Sequence, residues 1–420
     1  MSAVGKIVVC LTIACFLFAS PALAGAAWVY ENGAPEHGTA NAGSAARASD
    51  AATAWYNPAG MTRLDSTQFM VGVVPIFSSV KFDPGPLTSV SGGGGSDAGG
   101  FVPGASFNFV HDTTENFKWG IGFGALVGGA LEFDDSWAGR YYLTELELGV
   151  GILTPNVAYR FNDHFSIGGG AIIAFGQLTQ EAEVNNALDG LPDGHLKVED
   201  SDTDLGFDFG LLFEANDTTR FGLMYTSEVD LDLEDVLETE GLGPALSVIL
   251  GSEVDMGITI PQAVTLSYYQ DITDDFAIMV DFGWQNWEEF GLIDVSINNA
   301  MGPITFTEDI NFDDTLHGSF GASYSVGRSG RLSHGVAYDT SPTTVTDRVP
   351  LFAFDRQVRL ATGYQRALDS GNSWGVALSY VDFGNNALDE GDAAQLRGRL
   401  QGDFGTYDGF FLGFNYSWVR

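Results

Sequence analysis

Residues 38–64 read GTANAGSAARASDAATAWYNPAGMTRL, a run of Ala, Gly, Ser and Thr with almost no branched aliphatic side chains. It closes on Trp55-Tyr56-Asn57-Pro58-Ala59-Gly60. Side chains this small bury too little apolar surface to offset the entropy of ordering their own backbone. The segment therefore builds no core of its own. It is either disordered or enclosed by something else, and the rest of the chain shows what could enclose it.

The first residues carry the pattern of a secretory signal. Lys6 supplies the positive region, residues 7–18 the apolar run, and Ala22-Leu23-Ala24 the small-residue cleavage site. Expected boundaries are a signal at 1–24, a plug at 25–65 and a wall at 66–420. Both cysteines, Cys10 and Cys15, fall in the segment to be removed. A lipoprotein reading of Cys15 is disfavoured by Thr12, where an aliphatic residue is wanted. No disulfide framework or thiolate site is expected in the mature chain.

No later stretch approaches the ~18 uninterrupted apolar residues of a membrane helix. A closed barrel can still cross a bilayer, because each strand satisfies its neighbour's backbone groups. The composition suits that route. Charged residues are only 17% and aromatic residues 13%, with 54 glycines, whereas a soluble domain carries about a quarter charged residues. Much of the surface is thus expected to face something other than water.

The end of the chain shows the pattern most cleanly. Phe410, Leu412, Phe414, Tyr416 and Trp418 alternate with Phe411, Gly413, Asn415, Ser417 and Val419. Large apolar groups at period two describe a lipid-facing barrel strand. Phe207, Phe209, Leu211 and Phe213 repeat it against Asp208 and Gly210, and Trp119, Ile121 and Phe123 against Gly120, Gly122 and Gly124. A half-buried soluble strand looks the same, so the weight lies in the repetition.

Short clusters of turn residues recur at 112–116, 162–164, 216–219, 273–275, 327–330 and 369–372. Longer polar stretches alternate with them, at 83–100, 134–145, 181–204, 230–257, 291–309, 340–355 and 385–397. Short turns on one side and long loops on the other are the asymmetry of outer-membrane barrels. Six turns and seven loops imply fourteen antiparallel strands with both chain ends periplasmic. The residues before Thr67 are left over, as a plug would be.

With Asn57-Pro58-Ala59 behind GSAARASDAATAWY, the chain resembles the FadL/TodX family of outer-membrane transporters for long-chain fatty acids and other hydrophobic compounds. The likeness continues through Glu132-Phe133, Trp137-Ala138-Gly139-Arg140-Tyr141, Asn156-Val157-Ala158-Tyr159-Arg160 and Phe165-Ser166-Ile167-Gly168-Gly169-Gly170. Tyr225-Thr226-Ser227-Glu228-Val229, Asp313-Asp314-Thr315, Tyr338-Asp339-Thr340-Ser341-Pro342 and Asp355-Arg356 follow in order. The resemblance implies an all-β transmembrane barrel of fourteen strands whose lumen is blocked by an N-terminal hatch, with Asn57, Pro58 and Ala59 as hatch and gating residues. It also implies a kink in the third strand, here at Gly128 and Gly129, that opens a lateral gap for an apolar ligand. The alternative for these glycines is a crowded lumen, since Gly weakens a strand wherever it occurs.

Two departures bear on the substrate. Fatty-acid members carry a basic residue past the fifth strand, where this chain reads Gln177-Leu178-Thr179-Gln180-Glu181-Ala182. A carboxylate would need another partner, for which Arg47, Arg140 and Arg160 are the candidates; otherwise the substrate is neutral. The apolar residues Leu242, Leu246 and Ile249, in an acidic loop, are candidate contacts for ligand capture. The chain also ends Trp418-Val419-Arg420 rather than on the aromatic residue that the barrel assembly machinery usually reads.

The formal charge of −37 excludes the basic footprint of nucleic-acid binding. Asp200, Asp202 and Asp204 alternate like the start of a calcium loop, but Leu205 stands where Gly is required and no closing Glu follows. A looser cation bridge to lipopolysaccharide would have no motif behind it. The six histidines form no metal-binding pair, and no nucleophile elbow, phosphate loop or dinucleotide fingerprint occurs. The expectation is a monomeric, cofactor-free and metal-free channel for a hydrophobic small molecule, surrounded by outer-membrane lipid and lipopolysaccharide, with no enzymatic activity. A general aqueous porin and a surface receptor are the rival readings, and neither requires a hatch.

Overall fold

The computed structural model describes residues 28–235, 237–244, 253–290, 292–299, 302–353, 355–384 and 386–420. The expected signal segment lies outside them. Fourteen strands form the wall: β1 (Gln68–Pro84), β2 (Phe101–Asp112), β3 (Phe117–Glu132), β4 (Glu145–Asn162), β5 (Phe165–Val184), β6 (Gly194–Asn216) and β7 (Thr219–Thr226). The second half comprises β8 (Ala263–Thr273), β9 (Phe276–Gln285), β10 (Thr315–Val326), β11 (Gly330–Asp339), β12 (Gln357–Ala367), β13 (Ser373–Asp382) and β14 (Arg399–Val419). Each strand pairs antiparallel with its successor, and β1 pairs with β14 from Gln68↔Val419 to Pro84↔Gly402, which closes the ring. All six short turns fall where the turn residues place them.

The long connections differ from the sequence expectation. Residues 198–204, read as loop, stand on the wall, because β5 runs to Val184 and pairs with β6 as far as Gly194. On a strand, Asp200, Asp202 and Asp204 share the inner face with Asp208, while Leu205 and Phe207 point outward. Their alternation is the pleat of a strand, not a cation loop. The β7–β8 and β9–β10 connections, also read as loops, contribute Val229–Asp235, Glu253–Ile260, Leu292–Asn299 and Gly302–Asp309 to a separate four-stranded sheet.

The outer face follows the apolar alternation. Phe207, Phe209 and Phe213 of β6, and Phe410, Phe414 and Trp418 of β14, are exposed, whereas Asp208, Phe411, Asn415 and Ser417 are buried inside. Aromatic rings cluster near the short turns, with Phe69–Trp418 at 5.2 Å, Phe109–Trp119 at 5.3 Å and Phe221–Tyr268 at 5.2 Å between centroids. This is the girdle that amphipathic rings form at a membrane interface.

Residues 28–64 occupy the lumen. They form a 3-10 turn (Pro35–Thr39), α1 (Ser44–Arg47), α2 (Thr53–Tyr56) and a second 3-10 turn (Pro58–Arg63). Small side chains let their backbone lie directly on wall glycines. A Cβ on Gly222 would overlap the Ala45 carbonyl, one on Gly335 the Thr39 carbonyl, and one on Gly168 would come 2.5 Å from the Ala59 nitrogen. Charged wall residues cap α1 at both ends. Asp281 of β9 accepts hydrogen bonds from the Gly43 and Ser44 N–H groups (2.8 and 3.1 Å), while Arg220 of β7 donates to the Ala46 and Arg47 carbonyls (3.1 and 3.2 Å). Each charge matches the partial charge of the helix end it meets. The hatch reaches all fourteen strands, from Gly72 of β1 beside Gly33 to Gly413 of β14 beside His37.

Two substitutions test this architecture. Phe414→Arg puts a charge on the lipid face and is expected to lower unfolding free energy in bilayers by about 2–4 kcal/mol if Phe414 lies near the midplane. Denaturant titration in lipid vesicles measures it. Gly210→Val, whose Cβ would overlap the Asn57 side chain, is expected to leave the barrel closed but displace the second 3-10 turn. Trypsin cleavage after the buried Arg47 and the largely covered Arg63 should then accelerate in the folded protein, and unchanged cleavage would show that the hatch accommodates the side chain.

Candidate functional site

Asn57 organises the turn that closes the hatch. Its Oδ1 accepts from the Ala59 N–H at 3.1 Å, and its Nδ2 donates to the Ala45 carbonyl at 2.7 Å and to the Leu211 carbonyl of β6 at 2.9 Å. Pro58 opens the following 3-10 turn, where its missing N–H costs nothing. Pro58 and Ala59 sit over Gly168 and Gly210, which pair with each other across β5 and β6. At the far end of the turn, Arg63 pairs with Glu214 of β6. The triplet is thus held on one seam of the wall from both sides.

The β2–β3 ladder runs only from Asp112↔Lys118 to Phe107↔Phe123. Beyond it, the remaining part of β2 continues paired with β1, and β3 with β4. A register shift between Ala125 and Val127 makes Leu126 a bulge, two residues before Gly128. Gly128 pairs with Gly149, and a Cβ on Gly128 would make ordinary van der Waals contact with the Leu148 carbonyl at 3.6 Å. The start of the hatch runs along this seam. Val29 N–H donates to the Leu126 carbonyl at 3.0 Å, Trp28 bridges Val127, and the Asn32 carbonyl accepts from Ser106 Oγ of β2 at 2.5 Å.

Between the hatch and the wall lies a cavity that is partly open to solvent. Trp28, Trp55, Leu126, Ile152, Ile172 and Met224 supply its apolar lining. Asn41, Ser44, Tyr56, Asp208, Thr226 and Thr265 supply the polar atoms. Apolar and polar groups share the lining in about equal measure, so the chamber offers an apolar body and hydrogen-bonding groups together, as small-molecule sites do. Leu126 belongs both to this lining and to the bulge, so the chamber abuts the open part of the β2–β3 seam.

None of the three arginines singled out from the sequence lines this chamber. Arg47 pairs with Glu36 at 3.7 Å within the hatch. Arg140 lies in the β3–β4 loop and donates to Asp193 Oδ2 at 3.3 Å and the Ser91 carbonyl at 2.8 Å. Arg160, at the turn end of β4, bonds Glu214 at 2.7 Å beside Arg63. Leu242, in the β7–β8 connection, packs beside Gly194 at the start of β6, and Leu246 and Ile249 lie outside the described residues.

Sequence reasoning missed a buried charge cluster. Arg359 of β12 bonds Glu31 of the hatch at 2.6 Å and lies 3.7 Å from Asp339 of β11. Asp339 also accepts from His317 at 2.7 Å and from the Tyr30 hydroxyl at 2.9 Å, and Ser379 donates to Glu31 at 3.0 Å. Breaking one partner of a pair buried this deeply costs about 3–5 kcal/mol, because the other charge is left unpaired. The cluster clamps the start of the hatch to β11 and β12, away from the seam. Its signal in the sequence was an arginine at an inward position of an apolar strand, between Val358 and Leu360.

Residues 15–418 match the model of the family described as outer membrane protein transport protein (OMPP1/FadL/TodX). Outer membrane protein P1 of Haemophilus influenzae is 26% identical over 72% of this chain and 74% of its own length. The long-chain fatty acid transport protein of an Escherichia coli O6:H1 strain is 26% identical over 85% and 86%. Among solved structures, a Pseudomonas aeruginosa FadL homologue superposes with a TM-score of 0.83 at 18% identity, over 95% of this chain and 99% of that one. The toluene transporter TodX of P. putida does so with 0.69 at 15%, over 92% and 97%. With the family match spanning nearly its whole length and a closed, hatch-filled barrel as its fold, this chain belongs to the OMPP1/FadL/TodX family of outer-membrane transport proteins.

Proposed function

We propose that the protein is a passive outer-membrane channel for hydrophobic compounds. The carrying observation is the chamber between hatch and wall, which abuts the interrupted β2–β3 ladder. A ligand captured at the extracellular loops, where Leu242, Leu246 and Ile249 provide apolar contacts, enters this chamber. Movement of the hatch about Asn57, Pro58 and Ala59 withdraws residues 28–32 from the seam. The ligand then leaves sideways past Gly128 and Gly129 into the bilayer. No energy source is needed, since the hydrocarbon layer is itself a favourable destination for an apolar solute. The protein acts as a monomer and carries out no chemistry on its cargo.

Long-chain fatty acids are the first substrate class, by similarity to the relatives named for them. Uncharged hydrocarbons are the second, and one observation favours them. The chamber lining contains Asp208 and no lysine or arginine among the described residues, while Arg47, Arg140 and Arg160 are each engaged elsewhere.

Uptake of radiolabelled oleate and of toluene, in cells lacking their own transporter, tests the reading. Expression should raise uptake of at least one several-fold, and Pro58→Gly, which loosens the closing turn, should reduce the gain. If neither compound enters faster although the barrel is assembled in the membrane, the transport reading is wrong.

A further inference from the structure

We infer that the chamber selects uncharged apolar molecules that carry a hydroxyl group, an aliphatic or aromatic alcohol rather than a carboxylate. This rests on the channel reading and names its cargo. Asp208 projects from β6 into the chamber and is only 4% exposed. Its carboxylate oxygens make no hydrogen bond of regular geometry; the Asn156 side chain and the Gly170 N–H approach them only as weak donors, so most of their acceptor capacity stays open. Its neighbours in register are Gly170 on β5 and Thr226 on β7, and Gly170 brings no side chain over it. Asn156, across Gly170 on β4, commits its Nδ2 to the Ala54 carbonyl at 3.0 Å while approaching Asp208, and leaves its own Oδ1 unpartnered. Asn41 Oδ1, on the hatch side of the chamber, is unpartnered as well.

The unsatisfied polar atoms facing the chamber are therefore acceptors. Buried acceptors left unpaired are costly, and a ligand donor relieves that cost. An O–H donated to a carboxylate is a charge-assisted bond, about twice as strong as a neutral one. A ligand lacking the donor leaves most of the Asp208 acceptor capacity unmet, which is how a polar site rejects an apolar analogue. A carboxylate ligand does worse, since it brings a second negative charge beside the buried Asp208 without a cation in the lining to offset it. A metal ion is a poor alternative occupant, because no group of three His, Cys, Asp or Glu side chains able to hold one occurs among the described residues.

The test uses the full-length barrel in lipid nanodiscs at pH 8. Trp28 and Trp55 line the chamber, whereas Trp119 and Trp418 face the lipid, so occupancy is read as the bromine quenching that the native barrel shows beyond a Trp28→Phe, Trp55→Phe variant. Three ligands of equal chain length are compared: 10-bromodecanol, 10-bromodecanoate and 1-bromodecane. The alcohol should bind about tenfold or more tightly than the carboxylate, with the alkane between them. Asp208→Asn should bring the three within about threefold of one another, and Asp208→Glu should keep the order. Tightest binding of the carboxylate, or an order that Asp208→Asn leaves unchanged, overturns the inference while leaving the channel reading intact. No quenching beyond that of the tryptophan variant by any of the three in the folded native barrel overturns both. Should Asp208→Asn fail to fold, the order in the native protein alone decides between alcohol and carboxylate.

Discussion

Hydrocarbon offers the backbone nothing to bond to, and that constraint governs the whole molecule. Fourteen strands meet it by pairing in sequence and closing β1 on β14. The hatch meets it differently, drawing its partners from the wall: Asp281 and Arg220 at the ends of α1, and the Leu211 carbonyl at Asn57. At the β2–β3 seam the ladder stops, and there the backbone of residues 28–29 takes over part of the bonding. The interruption and its cover are one feature. A wall that could open without such a substitute would leave β3 unsatisfied whenever the channel was shut.

The interior also divides the labour of holding the hatch. Close packing of Ala and Gly backbones sets its position but contributes little apolar burial per residue. Charged contacts do the anchoring, with Glu31–Arg359 at one end and Arg63–Glu214 at the other. A plug fixed by a few polar contacts, rather than a broad greasy surface, can be shifted by changing a few of them. The chamber beside it follows the same economy, with a mixed apolar and polar lining and one buried carboxylate, Asp208, as its chemical signature.

Much of the fold was legible because it obeys local rules. The faces of β3, β6 and β14 came from period-two alternation, and the turns came from Asn, Asp and Gly clusters. Together they implied fourteen strands, and the poverty of residues 38–64 implied enclosure. Residues 198–204 were misjudged because acidity resembles a loop when the strand continues beyond the hydrocarbon layer. The site was less legible. Arg359 and Glu31 are separated by 328 residues, and Asp208 draws its meaning from Gly170, Asn156 and the hatch, none of which a linear pattern brings beside it. Arginines alone among apolar neighbours looked available, whereas Arg140 and Arg160 were taken by Asp193 and Glu214.

The reach of the hatch to every strand has a consequence for how the molecule comes into being. The hatch precedes β1, and the ladder that seals the ring joins β1 to β14, the first wall strand to the last. The hatch touches both of the strands that this ladder joins, Gly72 of β1 beside Gly33 and Gly413 of β14 beside His37. Seating the hatch and sealing the ring are thus one coupled event, because each contact that holds the hatch also holds a wall strand in its place in the cylinder.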